Sequence, residues 1–263
     1  MKKVKKIKCF ILILIIILIV LICSIFHLVN NHPKNKKSDD NITLNFESRV
    51  DKLNNFDSGE YYKFGWLQVQ GTTIDLPILD YRVSENNDVD YSFAWLSPTV
   101  VTTQNRLLIN GHNILNVSST PLINDENLTD FEPLMAFSYY SFAKDNLYIQ
   151  YTNDGKDEIY LIYSVGFYDS LEDSNYSYDY DDIDNLNKYI NTSRKKSIYD
   201  YDIDVKATDK LITLKTCTRY FGIREKQTFI INARKLRDDE KVVKYKVTTN
   251  SLFDELISND KKA

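Results

Sequence analysis

Seven short segments constrain what this chain can fold into. Each is apolar, or alternates apolar with polar residues, and each is bounded by Gly, Asn, Asp or Pro. They are residues 65–71 (GWLQVQG), 73–79 (TIDLPIL), 105–111 (NRLLING), 146–152 (NLYIQYT), 158–168 (EIYLIYSVGFY), 210–217 (KLITLKTC) and 228–236 (TFIINARKL). Short strands separated by turn residues predict a barrel or a sandwich. Two insertions break the pattern. Residues 128–146 carry a capping signature, Thr129 to Glu132, followed by helical spacing, and residues 181–199 open acidic and close basic, as suits a helix of three to four turns. Ahead of the strands, Leu44, Phe46, Val50, Leu53 and Phe56 recur at spacings of two to four, which predicts one or two short amphipathic helices. The expected class is mainly β.

The N-terminus follows a different pattern. Phe10 to Phe26 is apolar except for Ser24, and Ile7 to Val29 reaches the length of about 20 residues that a helix needs to cross a bilayer. Lys2, Lys3, Lys5, Lys6 and Lys8 crowd the side before this run, so the positive-inside rule leaves the longer C-terminal part outside the cell. No small-x-small cleavage site follows, which favours a retained anchor over a cleaved signal peptide. Residues 30–41 are polar and contain Pro33, and read as an extracellular linker to a domain over 42–245, with 246–263 as a C-terminal tail that could hold a short helix. Residues 1–37 hold eight Lys and no acidic residue, so the formal charge of −4 for the whole chain becomes −12 for residues 38–263. So acidic a domain is a poor ligand for nucleic acid or anionic lipid.

Cysteine and histidine are sparse enough to be informative. Cys9 and Cys23 fall in the apolar run, which leaves Cys217 without a disulfide partner in the outer part of its own chain. His27 and His32 lie at the exit of the run, and His112 alone lies in the body of the domain. A lone Cys usually packs as a small hydrophobe, and a lone His usually sits in a solvated loop. Here both end a predicted strand, where rigid scaffolds present reactive groups, and Gly111 permits a sharp turn before His112. Together a thiol and an imidazole form a nucleophile and acid–base pair, although free pKa values of about 8.5 and 6.5 leave few such pairs correctly ionised unless the site shifts them. Arg219, Arg224 and Arg234 lie within the same strand–loop–strand unit as Cys217, and a guanidinium there could donate to an oxyanion.

These residues resemble a known family. TLKTC at 213–217 matches the TLxTC signature of sortases, NGHN at 110–113 is similar to their histidine motif, and residues 65–79 resemble their opening strands. The resemblance runs from about 44 to 236. A helical preface and a long helix between the sixth and seventh strands are most like class B. The resemblance implies an eight-stranded sortase barrel and a membrane-anchored cysteine transpeptidase that needs no cofactor. In that reaction Cys217 attacks the Thr–Gly or Thr–Asn bond of an LPxTG- or NPxTN-like sorting signal of a surface protein, with His112 as acid and base. The thioacyl enzyme then passes its acyl group to an amine of the peptidoglycan precursor or to a pilin lysine. In one respect the sequence departs from the family, which places its arginine at or near the start of the last strand, where Gln227 and Thr228 stand here. Arg224, seven residues after Cys217, is the nearest match, ahead of Arg219, and Arg234 lies toward the outer end of the strand. Thr216 and Tyr220 are candidate substrate contacts, with strand packing an equal role for Thr216, and Tyr91 and Trp95 are candidates for a peptide groove.

Other readings stay open. A thiol peptidase of another fold would share Cys217 and His112 but resolve its intermediate with water, and an anchored binding module would bury Cys217 as packing. Metal binding has little support, because one Cys and one His do not make a zinc set. Asp88, Asp90 and the acidic stretch 179–184 lack EF-hand spacing and read as solvated charge.

Overall fold

The computed structural model describes residues 41–59, 61–80, 94–96, 105–169, 182–223 and 227–251, apart from the side chains of Trp95 and Leu96, and all of them lie in the unit Lys37–Ala263. The strands are β1 (Tyr62–Val69), β2 (Asp75–Asp80), β3 (Ala94–Leu96), β4 (Arg106–Asn110), β5 (Tyr148–Asn153), β6 (Lys156–Tyr168), β7 (Tyr199–Tyr201), β8 (Leu211–Cys217), β9 (Thr228–Lys235) and β10 (Val247–Thr249). Eight of them close a barrel in the order β1-β2-β3-β4-β8-β9-β6-β5, as the alternating segments predict, and β7 pairs with β10 outside it. Neighbours are mostly antiparallel, but β2 runs parallel to β3, and β4 runs parallel to β8 although a hundred residues of chain separate them.

Near-continuous apolar runs mark the strands that are covered on both sides. Thr228–Arg234 of β9 and Tyr160–Tyr168 of β6 are buried throughout. Their inner side chains join Leu67, Ile78, Ile109, Ile212 and Leu214 in the barrel core. Their other face is covered by helix α3 (Ile183–Lys195), which lies in the chain between the sixth and seventh barrel strands. Asp182 caps α3 by accepting from the Asp184 amide at 2.8 Å, so the described part of the acidic stretch serves a helix start. The helix buries Leu186 and Ile190 and is also held by polar contacts. Ser164 donates to the Ser193 carbonyl at 2.8 Å, the Tyr189 hydroxyl meets Thr213 and Asn232, and the Arg106 guanidinium lies 4.0 Å above the Tyr189 ring.

The N-terminal preface forms one short helix among the described residues, α1 (Val50–Asn55). It is tied down through Asp75, which accepts from Arg49 at 2.8 and 2.9 Å, from Lys52 at 3.2 Å and from the Trp66 indole at 2.6 Å.

Residues 128–146 differ from the continuous helix that their spacing suggests. Glu132–Ser138 is a 3-10 helix, Tyr139 is extended, and a single α turn follows as α2 (Tyr140–Ala143). Phe131, Leu134 and Phe137, all fully buried, repeat every three residues, and that period stacks them on one edge of a 3-10 turn. Burial on that edge overrides the helical propensity of the segment. Beyond residue 246 the chain first adds β10 to β7, and the Asn250 side chain then donates to the Ser197 carbonyl at 2.9 Å. Among the described residues no helix is long and apolar enough to cross a membrane, and the run Ile7–Val29 lies outside them.

Candidate active site

Cys217 is the last residue of β8, and its side chain is exposed. Strand alternation explains how it gets there. Thr213, Lys215 and Cys217 share the face that α3 covers at Thr213, and Cys217 lies four residues, about 13 Å at strand rise, beyond that cover. Thr216 points to the other face, is buried, and donates from its hydroxyl to the Gly111 carbonyl at 2.8 Å. In this place Thr216 joins β8 to β4.

His112 follows β4 directly. The parallel register pairs Asn110 with Lys215, and the Gly111 amide donates to the Lys215 carbonyl at 3.1 Å. Two further steps along both strands bring His112 level with Cys217 at the same end of the barrel. The imidazole is half-buried, and loss of hydration pushes its pKa below the usual 6.5. Gly111 does not serve the turn expected of it, because its backbone is not in the left-handed region. It serves packing instead: a Cβ there would stand 2.3 Å from Cγ of Phe131.

The loop after His112 is braced by buried polar groups whose bracing role the sequence did not show. Asn113 donates from Nδ2 to the Cys217 carbonyl at 2.8 Å and to the Asn116 carbonyl at 3.0 Å, while its Oδ1 accepts from the Asn116 amide at 3.0 Å. Asn116 in turn donates to the carbonyls of Leu122 and Glu132. The buried Glu132 carboxylate accepts from the amides of Ile114 and Leu115 at 3.0 and 2.7 Å and from Thr129 at 2.9 Å. The predicted capping box is therefore half real, since Glu132 reaches back to Thr129 but spends its other oxygen on the histidine loop. Polar residues are plentiful in the stretch 113–132, so nothing in the sequence marks out Asn113 and Asn116 from their neighbours.

The arginines separate by position. Arg234 pairs with Leu211 at the far end of β8 and is buried in a bidentate ion pair with Glu240 at 2.6 and 2.8 Å, which makes it structural. Arg219 is exposed, and its amide donates to the Val117 carbonyl at 2.9 Å, linking the loop after β8 to the histidine loop. Arg224 lies outside the described residues, as do Tyr91, Asp88 and Asp90 and the side chain of Trp95. Tyr220 is half-buried in an aromatic cluster, its ring 4.7 Å from Phe167 and 4.8 Å from Phe221, and burial raises its hydroxyl pKa. A cavity of about 320 Å³ lined by Phe64, Asn105, Tyr151, Tyr160 and Lys210 opens at the opposite end of the barrel, where β4 and β8 begin, away from Cys217.

No protein-family model matches this chain. It is similar to Sortase B of Staphylococcus aureus, with 21% identity over 171 residues that span 64% of this chain and 68% of the relative. Among solved structures, Clostridium perfringens sortase B superimposes with a TM-score of 0.54 at 20% identity, over 72% of this chain and 98% of that one. A Staphylococcus aureus sortase B–substrate complex gives 0.53 at 16% identity, over 73% and 86%. The fold is that of class B sortases.

Proposed function

We propose that this chain, which has the class B sortase fold, is a cysteine transpeptidase with Cys217 as nucleophile and His112 as acid and base. The observation that carries this reading is the parallel pairing of β4 with β8, which sets His112 level with an exposed Cys217 at one barrel rim. His112 takes the proton of the Cys217 thiol, the sulfur attacks the carbonyl carbon of the Thr–Gly or Thr–Asn bond in a sorting signal, and the C–N bond breaks as the leaving amine takes that proton from the imidazolium. An acceptor amine then attacks the thioester, gives up a proton to His112 and restores the thiolate. The acceptor is a peptidoglycan precursor amine or a pilin lysine. Arg224, on the segment joining β8 to β9, is the proposed donor to the tetrahedral oxyanion.

Residues 7–29 are proposed as a single-pass anchor, with the basic tail in the cytoplasm, residues 30–41 as linker and the catalytic domain at the outer face. The flanking Lys residues and the length of the apolar run support this.

The test is mass spectrometry of the full chain incubated with a panel of LPxTG- and NPxTN-like peptides. A thioacyl adduct on Cys217 is expected, with its product diverted from acid to amide when a small amine is added, and Cys217→Ala should stay folded and form none. Absence of any adduct across the panel overturns the reading. Adducts that water resolves even at high amine concentration would favour a thiol peptidase.

A further inference from the structure

We infer that Asn113 is a positioning residue that holds His112 in step with Cys217 by standing in for a backbone donor of the β4–β8 ladder, an inference that rests on the proposed Cys217–His112 pair. In a parallel ladder, donors two residues apart on one strand bond acceptors two residues apart on its neighbour. The Gly111 amide donates to the Lys215 carbonyl, so the next donor in line is the amide of residue 113 and the next acceptor is the carbonyl of Cys217. The chain leaves β4 at that point. The carbonyl is reached instead by the Asn113 side chain, whose Nδ2 donates to it at 2.8 Å.

The same amide folds the departing chain. Its Oδ1 accepts from the Asn116 amide and its Nδ2 donates to the Asn116 carbonyl, both at 3.0 Å. One buried side chain, 5% exposed, thus ends the strand and prolongs its ladder by one hydrogen bond. His112 lies between the last backbone bond and this side-chain bond, so it is pinned along the strand direction from both sides. Without the second pin, the pairing ends at Gly111 and Thr216, one residue short of the thiol and the imidazole. Proton transfer tolerates little slack, and a misplacement of about 1 Å can cost on the order of a hundredfold in rate.

The deciding variant is Asn113→Asp in the full chain. It keeps the volume and the acceptor toward Asn116 but replaces both donors with oxygen facing the Cys217 carbonyl. Expected are a fall in kcat on a sorting peptide of about ten- to a hundredfold with KM within about twofold, and a pH profile of Cys217 alkylation that loses its imidazole inflection and matches that of His112→Ala. Combining the two changes should cost no more than His112→Ala alone, because Asn113 acts through the histidine. Asn113→Ala, which opens a gap without adding charge, should show the same pattern more weakly. A wild-type alkylation profile in Asn113→Asp, additive losses in the double variant, or loss of the fold in both Asn113 variants would each overturn the proposal, the last by assigning Asn113 to structure alone. Alkylation needs no sorting peptide, so a chain that forms no thioacyl adduct defeats the transpeptidase reading while the profiles still decide the role of Asn113.

Discussion

At the scale of single residues, the half-burial of His112 has a kinetic consequence. Desolvation disfavours the imidazolium, so the pKa lies below 6.5 and the ring is mostly neutral near pH 7. In the proposed pair, a ring that takes a proton as pH falls through that value can no longer accept one from Cys217. The acid limb of kcat/KM against pH should therefore fall below pH 6.5, and His112→Ala should lower kcat/KM by about 10² to 10⁴ and remove that limb. A limb at or above 6.5 would assign it to another group. The placement of the candidates Cys217 and His112 at strand ends was legible in the sequence because strand alternation is local, and both end a readable run. What was not legible is that their strands touch, since nothing local encodes parallel pairing between positions 112 and 217. The role of Asn113 and the hold of Glu132 on the histidine loop escaped for a related reason: a side-chain amide or carboxylate takes its meaning from backbone groups that only the fold delivers. Gly111 was noticed for the wrong property, because its missing side chain makes room for Phe131 and does not serve a turn.

At the scale of elements, periodicity identified seven of the eight barrel strands to within three residues at their ends, and it identified α3. It missed β3, β7 and β10, each three residues long, because two alternations are too few to stand out from loop sequence. It also misread residues 132–143, where burial of a three-residue repeat favours a 3-10 turn. The far end of β9 offers a clean test of which arginine is structural. Arg234 is 1% exposed and meets both oxygens of Glu240, so Glu240→Ala leaves a buried guanidinium without its countercharge. The expected loss is about 3 to 5 kcal/mol of unfolding free energy, read from urea titration. Because Arg234 lies at the end of β8–β9 opposite Cys217, the turnover per folded molecule should change less than about twofold. A larger fall in turnover with stability intact would return Arg234 to the catalytic candidates.

At the scale of the molecule, the barrel is flanked by two peripheral segments that are held by carboxylates. Burial alone would raise the pKa values of Asp75, Asp157, Asp209 and Glu240, but hydrogen bonds from their partners outweigh it and hold all four below the usual carboxylate range. Asp75 and Asp157 bind the Arg49 region that carries α1, while Asp209 and Glu240 bind Arg237 and Arg234 where the chain leaves β9. A carboxylate whose folded pKa is depressed contributes stability that is fully present above its unfolded value of about 4. That contribution is lost as pH falls through the folded value. These four carboxylates by themselves should therefore leave the melting temperature of the full chain steady between about pH 7 and 5 and make it drop progressively below about pH 4. His112 adds an earlier loss of the same sign, because a ring that is reluctant to take a proton in the folded state favours unfolding once pH passes below 6.5, so a shallow decline there should precede the carboxylate drop. Asp209→Asn tests the source. Asn cannot titrate, so the variant should be less stable than the parent at pH 7 and should converge toward it at pH 3. Parallel melting curves for the two proteins across that range would show that the acid sensitivity arises elsewhere, for example from the net charge that builds up as the remaining carboxylates are protonated.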